Sequence, residues 1–296
     1  MIDLSDLTVV IPVRVDSDER LANLEAVLRF LTDLGGGIHI ILIESSPVSR
    51  LKTVAETYRV EFIHEVSTGP FHRTRLLNEG MTGRTSRSLV ASYDADVLVF
   101  PAALETIVTR LRAGLSYGWP YDGHSFDVRG ERRLAFLQTP GLDGIDPHAL
   151  MSEGTNRLSS ELVQLNHNSV GGVVIFRKDA FLDAGGYNEA FISWGWEDTE
   201  LVERFGKLGH PSERVAGVPL LHLSHRRGPD SSPYNPFFLH NDRTYRRIRS
   251  MTAPALRAHV RSGHTKCAVL PTPTRPDRGL SRLRQALFLV TRKIGL

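Results

Sequence analysis

The sequence predicts an α/β protein built on a doubly wound sheet, and three observations carry that expectation. LTVVIPV at residues 7–13 is a continuous β-branched apolar run of the kind buried on both faces of a parallel sheet. Residues 19–34 then place Leu21, Leu24, Val27, Leu28 and Leu31 at helical spacing. A second apolar run at 38–43, a helical stretch at 50–58 and a third run at 60–63 repeat the alternation, which is the signature of a wound sheet rather than of separate α and β layers.

In such folds the ligand lies beyond the carboxyl ends of the strands. Pro12, Arg14 and Glu44 stand at those ends. Gly35-Gly36-Gly37 ends the first helix. The chain has no Gly-x-Gly-x-x-Gly after the first strand and no Gly-x-x-x-x-Gly-Lys, so dinucleotide and P-loop readings lose their main support.

GPFHRTRLLNEG at 69–80 reads as a loop entering a helix, with Arg73 and Arg75 near its start. This is either an anion site or a pair of solvated surface charges. In SLVASYDADVLVF at 88–100, Asp94 and Asp96 sit at a strand's end with Ala95 between them. Alternate strand residues face one way, so both carboxylates are expected to aim at one divalent metal, Mg²⁺ or Mn²⁺. A turn held by Asx-type bonds is the competing explanation. A helix follows at 101–115, after which residues 116–168 lose any clear period and are expected to form a functional loop or lid, or a locally disordered insertion.

From 169 to 209 the pattern returns. A buried strand at 171–176 opens on Gly171-Gly172, where a ligand or another backbone can approach closely. A short helix, the Gly185-Gly186 turn and an aromatic corner, Trp194-Gly195-Trp196, lead into a helix that opens on Glu197-Asp198. Two acids there suit the helix dipole, and neighbours on a helix point about 100° apart, so one can face a cleft while the other bonds elsewhere. Plain acidic capping of a helix is the alternative. Residues 215–227 hold a short strand ending in His222-Leu-Ser-His225, whose rings can both approach a metal only if the chain turns there.

The chain has 296 residues, 41% of them apolar, enough for a core in one large domain or two modest ones. The single cysteine, Cys267, leaves no intrachain disulfide and no cysteine-rich zinc site. The start lacks a basic segment followed by a long apolar run, and no window approaches a membrane span, so a cytoplasmic protein is expected. Net charge is +3, yet residues 243–296 hold thirteen Lys or Arg against the single acid Asp277. The last stretch sets Leu283, Leu287, Val290 and Ile294 among Arg282, Arg284, Arg292 and Lys293, which suits either a helix peripheral to an anionic membrane or one packed on protein. Nucleic acid is not expected, because the tail has no known binding motif.

Taken together and in this order, GPFHRTRLLNEG, YDADV, GGVVIFRKDAFLDAGGYNEAF joined to WGWEDTEL, and HLSH before PYNP resemble the nucleotide-sugar glycosyltransferases of the GT-A fold. The likeness is nearest to the β-1,4-galactosyltransferase family, with bacterial chondroitin-polymerase-type domains and polypeptide GalNAc-transferases more distant. It spans about residues 7–240, and it implies a GT-A domain at 1–240, with a doubly wound mixed sheet flanked by helices, and a basic extension at 241–296.

The resemblance also implies roles. Asp96 and His225 would ligate Mn²⁺ or Mg²⁺, Asp94 would serve the ribose or the metal, and His222 falls where a second imidazole can lie. Pro12, Arg14, Glu44 and Arg73 match positions that grip uridine and the diphosphate, Gly172 would let the nucleotide sugar approach, and Trp194 would floor the sugar. Asp198 matches the catalytic base of inverting members, and Glu197 the acid that holds sugar or acceptor hydroxyls. The implied activity is metal-dependent, inverting transfer of a hexose or N-acetylhexosamine from a UDP-sugar to a glycan or glycoconjugate, as in polysaccharide assembly. A retaining transferase and a catalytically silent nucleotide-sugar binding module are the alternatives. Trp196 stands where the family has glycine, which implies a reshaped pocket, and the animal family's methionine ligand is missing. With no anchor in view, a bacterial cytoplasmic enzyme fits better than a Golgi one.

Overall fold

The structure is a computed structural model that describes residues 2–156, 159–228, 231–232, 234–263 and 265. It begins with β1 (Leu7–Val13), every residue of which is buried, as its unbroken apolar run requires. Helix α1 (Asp18–Leu34) follows, its first turn closed by the Ser17 side chain, which accepts from the Arg20 amide. Strands β2 (His39–Ser46) and β3 (Glu61–Val66), joined through α2 (Lys52–Tyr58), pair parallel beside β1. Helix α3 (Arg73–Asn78) runs into a wider π-type turn at Glu79–Gly83.

Strand β4 (Leu89–Tyr93) pairs parallel along the other edge of β1, and there the expected single strand breaks in two. Strand β5 (Val97–Leu98) belongs to a different sheet, so Asp94-Ala95-Asp96 is the crossing between sheets. The two-residue alternation expected of these acids therefore does not apply, because they lie in a turn and not on a strand.

Helix α4 (Pro101–Arg112) leads into the segment that sequence period leaves blank. It is not a lid or an irregular insertion. It folds as β6 (Tyr117–Trp119), β7 (Ser125–Val128), α5 (Gly130–Gln138), α6 (Pro147–Thr155) and β8 (Leu162–Asn166). The strands are three to five residues long, too short for a period of two to stand out.

Strand β9 (Val173–Arg177) and α7 (Lys178–Asp183) precede α8 (Glu197–Lys207), β10 (Ser212–Arg214), β11 (Leu220–Leu223), α9 (Phe238–Arg249) and α10 (Ala253–Arg261). The larger sheet has the order β10-β6-β9-β4-β1-β2-β3, with β9 antiparallel to both neighbours and therefore mixed. The smaller runs β5-β11-β7-β8. A continuous apolar core joins both sheets to their helices.

The boundary expected at residue 240 falls inside α9. Asn241, Tyr245, Ile248 and Leu256 are all buried, so the chain from 241 to at least 256 packs into the same body. The amphipathic stretch expected at 279–296 lies outside the described residues.

Candidate active site

One cleft of about 270 Å³ opens where the carboxyl ends of β1, β4 and β11 meet the first turn of α8. Pro12, Arg14, Arg73, Asp94, Asp96, Trp194, Glu197, Asp198, His222 and His225 all line it.

One wall is a three-residue cluster. His222 lies in β11 and His225 just past its end, where the chain turns and brings the rings to 5.3 Å. Nε2 of His225 is 2.9 Å and Nε2 of His222 is 3.8 Å from Oδ2 of Asp96. One ligand atom from each of these three residues lies within 4.8 Å of the others. The opposite nitrogens are engaged elsewhere. Nδ1 of His225 is 2.9 Å from the Arg226 carbonyl, and Nδ1 of His222 is 2.8 Å from Oδ1 of Asp127. The Arg226 carbonyl can only accept, so Nδ1 of His225 can donate to it, with Arg20 Nη2 3.5 Å from the same nitrogen, while Nε2 faces Asp96. Burial opposes the charge on Asp96, but His222 and the bond from His225 more than offset it and hold the carboxyl far below its usual range.

Asp94, expected to share the metal, is not in this cluster. Its amide donates to the Gly172 carbonyl at 2.8 Å, and its Oδ1 accepts from Arg73 Nη2 at 2.7 Å. Burial nonetheless pushes its pKa up, against the pull of Arg73. Arg73 also donates through Nη1 to Asp198 at 3.1 Å and through Nη2 to Ser92 at 3.0 Å, and lies over the Tyr187 ring at 5.8 Å. It thus ties the strand-end acid to the helix acid. Burial alone would lower its pKa, but Asp198 and Asp94 raise it well beyond the usual arginine value.

The second wall is the first turn of α8. Ser193, Gly195 and Trp196 have φ of 61, 119 and 72°, a left-handed corner that swings the chain into the helix. Glu197 is buried and accepts from the Gly195 amide at 2.7 Å. Its pKa is pushed up to about 7, first by burial and then by the charge of Asp198. Asp198 is more open, and its Oδ2 lies where a Cβ on Gly171 would fall, at 2.4 Å. Only glycine at 171 leaves room for that carboxylate.

Arg14 is clamped by Ser45 and Gly69. Its Nε donates to the Ser45 carbonyl at 2.7 Å and its Nη1 to the Gly69 carbonyl at 2.8 Å, with Phe71 alongside at 5.7 Å. Trp194 stacks on Phe238 at 6.2 Å and contributes to the cleft surface.

Besides Asp94, three expectations need correction. Glu44 does not reach the cleft, because its fully buried carboxylate accepts from the Arg50 and Leu51 amides and the Ser46 and Ser49 hydroxyls, sealing the entry to α2. Gly172 does not line the cleft either; Leu220 Cδ2 would lie 2.9 Å from a Cβ there, so its missing side chain makes room for the Leu220 side chain of β11. Trp196 does not reshape the pocket. It turns away and stacks on Tyr245 of α9 at 4.4 Å with rings 8° from parallel.

Sequence reasoning missed Phe71, Arg20 and Asp127. Phe71 and Arg20 line the cleft, and Phe71 stood inside a quoted stretch as an aromatic next to the arginine loop. Asp127 stood in the blank segment with no signal to find it.

Residues 160–226 match the family described as the N-terminal domain of galactosyltransferase. That span carries Glu197, Asp198, His222 and His225, and leaves out Asp96 and Arg73. No curated protein matches the chain. Among solved structures, a mycobacterial protein is 16% identical with a TM-score of 0.50, covering 81% of this chain and 74% of its own. Glucosyl-3-phosphoglycerate synthase from Mycobacterium tuberculosis, in complex with Mg²⁺ and uridine diphosphate, is 17% identical with a TM-score of 0.49, covering 81% and 78%. A mutant of Drosophila β-1,4-galactosyltransferase 7, in complex with manganese, UDP-Gal and xylobiose, is 16% identical with a TM-score of 0.45, covering 74% and 71%. At 16% identity the first of these is a likeness of fold alone.

Proposed function

We propose that this chain, which has the GT-A fold and a galactosyltransferase-type segment and is on those grounds a glycosyltransferase, moves a hexose or N-acetylhexosamine from a UDP-sugar to a hydroxyl of a glycan or glycoconjugate with inversion. The observation that carries the reading is that the Asp96, His222 and His225 cluster and the Glu197 and Asp198 pair line one cleft.

The donor set fits a divalent ion. Two imidazoles and a carboxylate favour Mn²⁺ over Mg²⁺, which prefers oxygen throughout. When bound there, the ion would neutralise charge gathering on the departing diphosphate. Arg14, Pro12 and Phe71 supply a floor for the nucleotide, and Arg73 a cation near its phosphates. Asp198 then accepts the proton of the acceptor hydroxyl as that oxygen bonds to the anomeric carbon, and the carbon's bond to UDP breaks on the opposite face. Glu197, half protonated near neutral pH, can donate a hydrogen bond to a sugar or acceptor oxygen. That same raised pKa supports a second reading in which Glu197 is the proton acceptor and Asp198 anchors Arg73.

The test is a screen of UDP-Gal, UDP-GalNAc, UDP-Glc, UDP-GlcNAc and UDP-GlcA, each with Mn²⁺, for protection against thermal unfolding, followed by UDP release with candidate acceptors. At least one donor should raise the melting temperature, because a ligand that binds only the native state stabilises it. No shift with any of the five overturns the reading. NMR of the product's anomeric proton decides inversion against retention.

Among the described residues no helix is long and apolar enough to cross a membrane. The basic tail is read as a contact with an anionic surface. Removing residues 279–296 should weaken binding to anionic vesicles and leave UDP affinity unchanged; equal vesicle binding rejects the contact.

A further inference from the structure

Asp127 touches no part of the cleft surface, yet it is placed to control one of the three residues there. It sits in β7, whose neighbour β11 carries His222 directly opposite in the parallel register. Its Oδ1 lies 2.8 Å from Nδ1 of His222. Its Oδ2 is engaged by Arg129 Nε at 2.6 Å and by the Ser224 hydroxyl at 3.1 Å. The carboxylate is therefore fixed on both sides, and one oxygen is left to accept from the imidazole.

We propose that Asp127 is a positioning residue for the metal cluster, holding His222 as the Nδ1–H tautomer so that its Nε2 lone pair points at the space shared with Asp96 and His225. The inference rests on the metal reading of that cluster. An imidazole that ligates through one nitrogen needs its other N–H bonded to an acceptor, which fixes the ring's orientation and makes the ligating nitrogen more basic. His225 receives that support from a backbone carbonyl, which no substitution of a side chain can remove. His222 receives it from Asp127 alone among the contacts of its Nδ1. The two imidazoles therefore differ in the acceptor that secures Nδ1, a backbone carbonyl for His225 and a side chain that substitution can remove for His222.

The experiment uses the full-length chain with ¹⁵N-labelled histidine. A long-range ¹H–¹⁵N spectrum of the metal-free protein at about pH 9, well above the ordinary imidazole pKa, reads the tautomer directly. Electron paramagnetic resonance of free Mn²⁺ during a titration gives the affinity. In the wild type, His222 should appear as the Nδ1–H form. In Asp127→Ala it should pass to a mixture with the Nε2–H form, and the Mn²⁺ dissociation constant should rise about 10- to 100-fold. Asp127→Asn keeps an accepting oxygen and should retain the wild-type tautomer and most of the affinity. A residue that merely stiffened β7 would change the melting temperature and leave the tautomer alone. A wild-type His222 in the Nε2–H form overturns the proposal whether or not any variant folds. An Asp127→Ala protein with unchanged tautomer and Mn²⁺ affinity overturns it too, while the metal reading stands. A wild type that binds no Mn²⁺ overturns both.

Discussion

The two walls of the cleft are built by opposite means. The wall of Asp96, His222 and His225 is assembled from strand ends, with the ladder between β11 and β7, the crossing from β4 to β5 and the Nδ1 contacts fixing each group before any ligand arrives. The wall of Glu197 and Asp198 is one helical turn approached through a left-handed corner, and its carboxylates are kept in place by burial, by Arg73 and by the Gly195 amide. The first wall keeps its carboxylate charged, and the second keeps one of its carboxylates close to losing its charge. The proposed transfer would use both conditions, a fixed anion to hold a cation and a carboxyl poised to exchange a proton.

That contrast can be broken most directly at Asp96. Asp96→Ala should reduce Mn²⁺-dependent UDP release to background, because it removes the anion between two imidazoles and with it several kcal/mol of charge stabilisation. Undiminished turnover would dissociate the first wall from the chemistry. Asp198→Asn should lower turnover by about 10³-fold with Mn²⁺ affinity held within a few-fold, as expected when a proton acceptor is lost and the metal site is spared. If Glu197→Gln shows the larger loss, the roles of the two acids are exchanged.

Glu197 also sharpens the comparison through stability. Its folded pKa, about 7, lies above the ordinary value of 4.5, so its contribution is fully present below about 4.5 and is lost as pH rises through about 7. Metal-free wild type should therefore lose up to about 3 kcal/mol across that window relative to Glu197→Gln, read from urea unfolding at each pH. Parallel curves for the two proteins would show that Glu197 titrates normally.

The smallest effect probes the corner itself. Trp196→Ala and Trp196→Gly both lose the stack on Tyr245, but only the glycine variant is relieved of a side chain at φ 72°. The glycine variant should be the more stable of the two by about 1 kcal/mol, the reverse of the usual order within regular structure.

Much of the fold was legible because long elements announce themselves. β1 and α1 carry enough apolar positions for a period to be counted, and their observed limits fall within a residue of the expected ones. Acids and histidines at strand ends were legible as chemistry, since buried charge at such places asks for a partner. What stayed hidden depended on tertiary pairing. The four residues of β7 have no period to read, and Asp127 gains its meaning only when β11 is laid beside it. The sharing of Arg73 between Asp94 and Asp198 likewise joins positions 21 and 125 residues apart. Glu44 misled because a carboxylate at a strand's end can close off a helix as readily as it can meet a ligand.

Asp96 and His225 are separated by 129 positions along the chain. A polypeptide emerging from the ribosome therefore offers only scattered ligands until residue 225 has been synthesised and both sheets have closed around the seam between them. On the proposed metal reading, cation uptake should accordingly mark the completion of folding rather than assist its beginning, and a fragment ending before β11 would lack both imidazoles of the cluster.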